Sequence, residues 1–137
     1  MIVGIGFMIH GWAKISRGTA GFEKLLMQIG VPLPHLSAIV TPYVELIGGF
    51  AILIGLFTKF ITVPLVIIML VAMLSVQVHY GFSAVNTIGL TAQGPVFGPP
   101  GYEINLLYIA CLVSLFLTGA GALCVDKLIE NKRKTSQ

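Results

Sequence analysis

No Asp, Glu, Lys or Arg occurs between Lys59 and Glu103. Within that interval residues 61–80 form an apolar run of twenty. As a helix the run is about 30 Å long, the thickness of a bilayer's hydrocarbon core. Pro64 lies in its first turn, where a missing N–H costs little. Only 9% of the 137 residues are charged and 56% are hydrophobic, whereas soluble domains carry about a quarter charged residues. Too few charges are present to coat a soluble surface. A soluble enzyme, a nucleic-acid binder and a disordered chain are therefore excluded, and a lipid bilayer is the expected surrounding. Most of the formal net charge of +3 sits in the C-terminal tail. It reports on membrane topology rather than on a polyanionic partner.

Three further segments complete an expected all-α bundle of four transmembrane helices. Residues 104–123 follow Glu103 and end before Asp126-Lys127. Residues 36–57 form another span, interrupted by Pro42 and Glu45. Residues 1–15 are apolar but short, about 21 Å as a helix. That helix is expected either to start inside the bilayer or to continue a longer natural chain. Phe22, Leu25, Leu26 and Ile29 fall on one helical stripe, with Glu23, Lys24 and Gln28 elsewhere. A short amphipathic helix on the membrane surface is the expected result. Residues 81–101 are rich in Gly and Pro, uncharged, and expected as a long loop touching the interface. With no internal repeat, residues 1–137 form one membrane domain, closed by a basic tail at 127–137.

The first residues show neither a basic region nor a small-x-small site, so a cleavable signal is not expected. Cys111 and Cys124 are thirteen positions apart. On a helix that is about 20 Å, too far for a disulfide. No C-x-x-C occurs, which argues against thiol exchange within the chain. Four spans place both termini on one side, with Lys59, Lys127, Lys132, Arg133 and Lys134. Lys14, Arg17 and Lys24 lie opposite. Five against three favours cytoplasmic termini.

Ionisable residues inside membrane helices are costly and default to functional candidates. Antiparallel threading brings His10, Lys14, Glu45, His79 and Glu103 toward the same outer leaflet. Each shares a stripe with small residues: Gly6 with His10, Gly49 with Glu45, Ser75 and Ala72 with His79, Ala110 and Ser114 with Glu103. Small residues mark close helix contacts in membranes. The five are therefore expected to converge in one polar, ligand-binding pocket. An unpaired charge there is expensive, so Lys14 is expected to pair with Glu45 or Glu103. His10, Glu45, His79 and Glu103 are the candidate proton-exchange groups, since histidines and carboxylates suit that chemistry. The blander alternative makes them interfacial residues, with Lys14 snorkelling to water. His35, Cys111 and Cys124 are read as having no catalytic role.

The run His10-Gly11-Trp12-Ala13-Lys14 closes the first helix. Pro42-Tyr43-Val44-Glu45-Leu46-Ile47-Gly48-Gly49 leads to Ile54-Gly55-Leu56-Phe57-Thr58-Lys59. His79 ends the third helix, Gly101-Tyr102-Glu103 opens the fourth, and residues 119–126 close it. In this order the set resembles the DoxX family of small four-helix membrane proteins, over nearly the whole chain. The chain departs from the family in lacking an upstream portion of helix 1 that often carries an arginine. It also has Cys124 where a serine commonly stands.

The resemblance implies a redox-associated protein of the bacterial inner membrane; one branch of the family resembles small subunits of a thiosulfate:quinone oxidoreductase. A quinone would be the ligand, with no covalent cofactor. Electrons would come from a partner, because no dinucleotide motif, Fe–S spacing or redox cysteine pair is present. An enzymatic role, as membrane subunit of an oxidoreductase, stays open. Two alternatives stand beside it: a non-enzymatic scaffold for a redox or stress-response complex, and a small transporter or lipid-binding protein. All three imply a protein partner or a homo-oligomer, and none a nucleic acid. Haem on His10 and His79, or a metal on His10, Glu45, His79 and Glu103, has too thin a signal to adopt, so no metal site is assigned.

Overall fold

A computed structural model describes residues 2–121 and 124–126. Helix α1 runs Ile2–Ser16, α2 Thr19–Gln28, α3 Pro34–Ile54, α4 Thr58–Ser75 and α5 Glu103–Thr118. A 3-10 turn, Gln77–Tyr80, follows α4. The expected loop at 81–101 contains a hairpin, so the fold is helical with one small sheet. Strand β1 (Thr87–Thr91) pairs antiparallel with β2 (Gly94–Phe97), Thr91 facing Gly94 and Thr87 facing Phe97. β-branched residues favour the extended backbone, and Gly94 at φ 120° closes the turn after Ala92-Gln93.

The helix boundaries have local causes. Helix α3 stops at Ile54 because Gly55 turns left-handed at φ 68°. The N–H groups of Gly55 and Leu56 then return to the carbonyls of Ile52 and Ala51, 3.2 and 2.8 Å away. This is the Schellman arrangement. Helix α4 starts at Thr58, three residues earlier than expected, because Asp126 caps it. The Asp126 carboxylate accepts from the backbone N–H of Phe57 at 2.8 Å and of Thr58 at 3.2 Å. A negative side chain belongs at a helix N-terminus. At its far end α4 gives way after Ser75, where Val76 adopts φ −123°, ψ −63°. Helix α5 ends at Gly119, φ 75°. The expected helix end at 123 and the basic tail at 127–137 lie outside the described residues.

Length separates the helices. Among the described residues, α3 with 21 residues and α4 with 18 are long and apolar enough to cross a membrane. Helices α1 and α5, with 15 and 16 residues, extend about 22–24 Å and fall short of the hydrocarbon core. Two helices rather than four thus meet the length criterion for a span. All four long helices nevertheless build one core: Phe7 of α1, Ile52 of α3, Leu65 of α4 and Leu112 of α5 are buried together.

Helices α1 and α3 run antiparallel with their backbones in contact. A Cβ placed on Gly4 would lie 2.6 Å from the Gly49 carbonyl oxygen, and one on Gly49 would lie 2.5 Å from that of Gly4. A Cβ on Gly11 would lie 2.5 Å from the Pro42 carbonyl oxygen. Only glycine permits this approach, which membrane helices use for close packing. The outer faces stay apolar: Ile9 and Trp12 of α1, Ile47 of α3, Leu74 of α4 and Leu117 of α5 are all exposed. Apolar surface on this scale marks a membrane protein.

Candidate functional site

The close α1–α3 contact fixes where the ionisable residues meet. His10 and Lys14 occupy the last turns of α1, and Glu45 lies one turn beyond Pro42 in α3. Lys14 Nζ donates to both Glu45 carboxylate oxygens at 2.6 Å. The Glu45 side chain is 2% exposed and that of Lys14 28%. The lysine therefore keeps contact with the surface while neutralising a carboxylate that has lost its water. Lys14 Nζ also lies 4.9 Å from the centroid of the Phe22 ring, a cation–π contact joining α1 to α2.

The pair borders a cavity of about 530 Å³, walled by α1, α2, α3, α4, α5 and the 3-10 turn. Helix α2 supplies Phe22, Leu25 and Leu26, and Ile29 follows at its C-cap, the stripe expected on the membrane surface. The structure turns that stripe toward the bundle, where it roofs the cavity. Helix α2 is tied down again where His35 Nδ1, in the first turn of α3, lies 3.2 Å from Glu23 Oε1. The remaining walls are mostly apolar, with a few polar groups converging: His10, Thr41, Gln77, Asn105 and Tyr108. His10 and Phe7 both meet the Tyr108 ring edge-on, with centroids 6.4 and 5.3 Å apart. Asn105 is buried, and its amide donates weakly to the Met69 carbonyl at 3.5 Å. Ile67 and Val71 line the cavity and are also exposed on α4. The cavity's size and largely apolar lining suit a small organic ligand.

Two of the five expected pocket residues lie elsewhere. His79 is exposed in the 3-10 turn and does not line the cavity. Ala72 and Ser75 do line it, as their stripe implied, but that stripe ends at the break after Ser75. Three-residue turns then replace 3.6-residue turns, and His79 swings out. Glu103 is the first residue of α5, outside the cavity lining. Its Oε2 accepts from the Ala84 N–H at 2.8 Å. Together with the Gly101 N–H to Ser83 carbonyl bond at 2.9 Å, it clamps the two stems of the hairpin loop. Among the described residues no three His, Cys, Asp or Glu gather as metal ligands. Cys124 is buried and packs against Gly55, whereas Cys111 is exposed.

Gln77, Asn105 and Tyr108 were not among the expected site residues. Asn105 and Gln77 could have been noticed as neutral polar residues interrupting apolar runs. Tyr108 carries no such signal; Gly6, whose missing Cβ makes room for the Tyr108 hydroxyl, is its counterpart across the bundle.

Glycine-packed helices, exposed apolar faces and a ligand-sized cavity with one buried ion pair define a small helical membrane protein. The chain belongs to the DoxX family, whose pattern matches residues 1–78. It is similar to the Bacillus subtilis protein named "Putative oxidoreductase CatD", with 28% identity across 98% of this chain and 86% of that protein. It is also similar to the inner membrane protein YphA of Escherichia coli, with 26% identity across 88% of this chain and 80% of that one. An uncharacterized Haemophilus influenzae protein is 26% identical across 92% of this chain and 84% of its own length. No solved structure matches the chain.

Proposed function

We propose that this protein is a multi-pass subunit of a bacterial inner membrane that holds the headgroup of a quinone in the cavity beside Lys14 and Glu45. The observation carrying this reading is the cavity itself: about 530 Å³, mostly apolar, with His10, Lys14–Glu45, Thr41, Gln77, Asn105 and Tyr108 among its polar lining residues. A quinone headgroup needs hydrogen-bonding groups at one end of an apolar slot, and these residues fit that need. When bound, a quinone supplies two-electron, two-proton redox chemistry. Lys14 and His10 orient the headgroup from α1, and Glu45 with His10 exchanges protons at its edge. Electrons come from a partner oxidoreductase. The relatives' printed names, "Putative oxidoreductase CatD" and "Inner membrane protein YphA", agree with this setting.

In this reading α1 and α5 lie in the bilayer beside α3 and α4, supported by their exposed apolar faces, with their shorter length met by local thinning of the bilayer. The five-to-three distribution of basic residues favours cytoplasmic termini. Extraction and mass spectrometry of protein purified in mild detergent test the reading. Quinone is expected at a fixed ratio to wild-type protein and is expected to be lost when Ala72→Phe fills the cavity. Equal background amounts in both samples would refute it.

A second reading, a non-enzymatic scaffold, rests on the hairpin. Ile88, Leu90 and Phe97 are exposed there, available to a protein partner or a second copy. Cross-linking from Ala92→Cys distinguishes it: a specific cross-linked partner without bound quinone favours the scaffold.

A further inference from the structure

Residues 81–101 contain no Asp, Glu, Lys or Arg, and the hairpin within them sorts its side chains by face. Leu90 stands directly opposite Pro95, so the two project from the same side of the ribbon, and Phe97, two residues on, projects with them. Gly89, Thr91, Gly94 and Val96 occupy the other side. Leu90 is 82% exposed and Phe97 61%, which leaves an open apolar face. The polar side chains of the segment bond to its own backbone. Ser83 Oγ donates to the Val85 carbonyl at 2.9 Å, Asn86 Nδ2 to the Pro99 carbonyl at 3.3 Å, and Thr91 Oγ1 to the Gly94 carbonyl at 3.0 Å. Polar groups paired in this way cost less to remove from water.

The hairpin springs from a level marked by aromatic side chains. Tyr80 closes the 3-10 turn before it. Phe82 and Tyr102, in its two stems, meet edge-on with centroids 5.5 Å apart. Trp12 and Tyr43 lie at the same end of the bundle, because Gly11 packs against Pro42 and His10 lines the same cavity as Gly101. Trp12, Tyr43 and Tyr80 are all exposed. In membrane proteins exposed Trp and Tyr collect at the level of the lipid headgroups.

We infer that the hairpin is a membrane-surface anchor, with its Leu90–Pro95–Phe97 face resting on the lipids of the leaflet at this end of the bundle and its Gly and Thr face toward water. The inference rests on the bilayer placement of α3 and α4 proposed above and adds a lipid contact outside the helices. Two features favour lipid over protein as the cover. A protein interface is bounded by a polar rim, and this segment offers no charge to build one. The apolar face also begins at the aromatic level, where the bilayer surface already is. A two-stranded ribbon has open edges whose N–H and C=O groups need water or headgroups. The hairpin therefore lies among the headgroups and does not enter the hydrocarbon core.

Spin labels on the full-length protein in nanodiscs of zwitterionic lipid test this. Single sites are Leu90→Cys, Phe97→Cys and Thr91→Cys, in a Cys111→Ala, Cys124→Ala background. The ratio of collisions with oxygen to collisions with a water-soluble nickel chelate is expected to be severalfold higher at 90 and 97 than at 91. Nickel access at 90 equal to that at 91 overturns the inference, since the hairpin then stands in water. Shielding of 90 from both oxygen and nickel also overturns it, since a second copy then covers the face. Ile47→Cys, exposed on α3, is the control and is expected to meet oxygen alone. Nickel access there overturns the bilayer placement and this inference with it. The wild-type chain supplies a measurement free of variants. A lipid carrying a diazirine near its headgroup is expected to cross-link to residues 84–98 on irradiation, equally at low and high salt because no charge is there to screen. Cross-links on α3 and α4 without any in 84–98 overturn the inference and leave the bilayer placement standing.

Discussion

Lys14 and Glu45, 31 residues apart, meet at 2.6 Å across the α1–α3 contact, with the glutamate almost wholly removed from solvent. Removing the lysine strands a buried carboxylate. Lys14→Met is therefore expected to lower stability by about 2 kcal/mol, less than the ~3–5 of a fully buried pair because Lys14 keeps some exposure. Replacing both residues, Lys14→Met with Glu45→Leu, removes the stranded charge and is expected to restore most of the loss. Thermal unfolding of the three proteins in one detergent checks this, with Lys24→Gln on the exposed side of α2 as an unaffected control. A double variant no more stable than Lys14→Met would show that the pair is not the cause.

The α1–α3 contact makes a second prediction, with opposite signs at two glycines. Gly49→Ala places a methyl against the backbone of α1 and is expected to cost about 1–3 kcal/mol, as overpacked cores do. Gly21 lies in α2 with nothing near its missing side chain. Gly21→Ala is expected to stabilise by about 0.5–1 kcal/mol through helix propensity. Unfolding temperatures measured side by side settle both.

Asp126 joins the end of the described chain to the α3–α4 turn. Its carboxylate receives the Phe57 and Thr58 N–H groups, and its own N–H returns to the Gly55 carbonyl at 3.1 Å. Asp126→Ala is expected to destabilise by about 1 kcal/mol, the usual loss for a helix cap. Hydrogen exchange is expected to quicken at the start of α4 and to stay unchanged in α2.

His79 and Glu103 are expected to behave differently from Lys14 and Glu45. His79→Ala is expected to leave quinone retention unchanged, since the side chain lies outside the cavity. Glu103→Ala is expected to free the hairpin stems, read as faster protease cleavage within residues 84–98, again with quinone retained. Loss of quinone in either variant would return these residues to the site.

How far the sequence could be read follows from what each feature depends on. The apolar character of residues 61–80 is a sum over many side chains, so a shift of helix ends by a few residues does not disturb it. The Lys14–Glu45 pairing was legible because a lone charge among apolar helices is expensive wherever it sits. His79 was misplaced because its position depends on one backbone break at Val76; extending a 3.6-residue period through that break puts the wrong residue inward. Gln77 escaped notice for the same reason, and because a neutral amide raises no electrostatic alarm. The amphipathic stripe of α2 was read correctly as a stripe. Its periodicity could not say whether lipid or a cavity lay beneath it, since both are apolar. The hairpin was hidden in a stretch whose Gly and Pro content suggested an open loop. Only the pairing of Thr87–Thr91 with Gly94–Phe97, a non-helical choice by β-branched residues around a glycine turn, reveals it.

Photoaffinity labelling tests the central claim, a quinone headgroup seated beside Lys14 and Glu45. A short-tailed azidoquinone is irradiated with the protein in nanodiscs, and the labelled peptides are mapped by mass spectrometry. Saturable labelling is expected on the cavity walls, at residues 10–14, 41–45 and 104–108, displaced by unlabelled quinone and abolished by Ala72→Phe. Labelling that does not saturate, or that falls on the hairpin and the outer faces of α4 and α5, would contradict it.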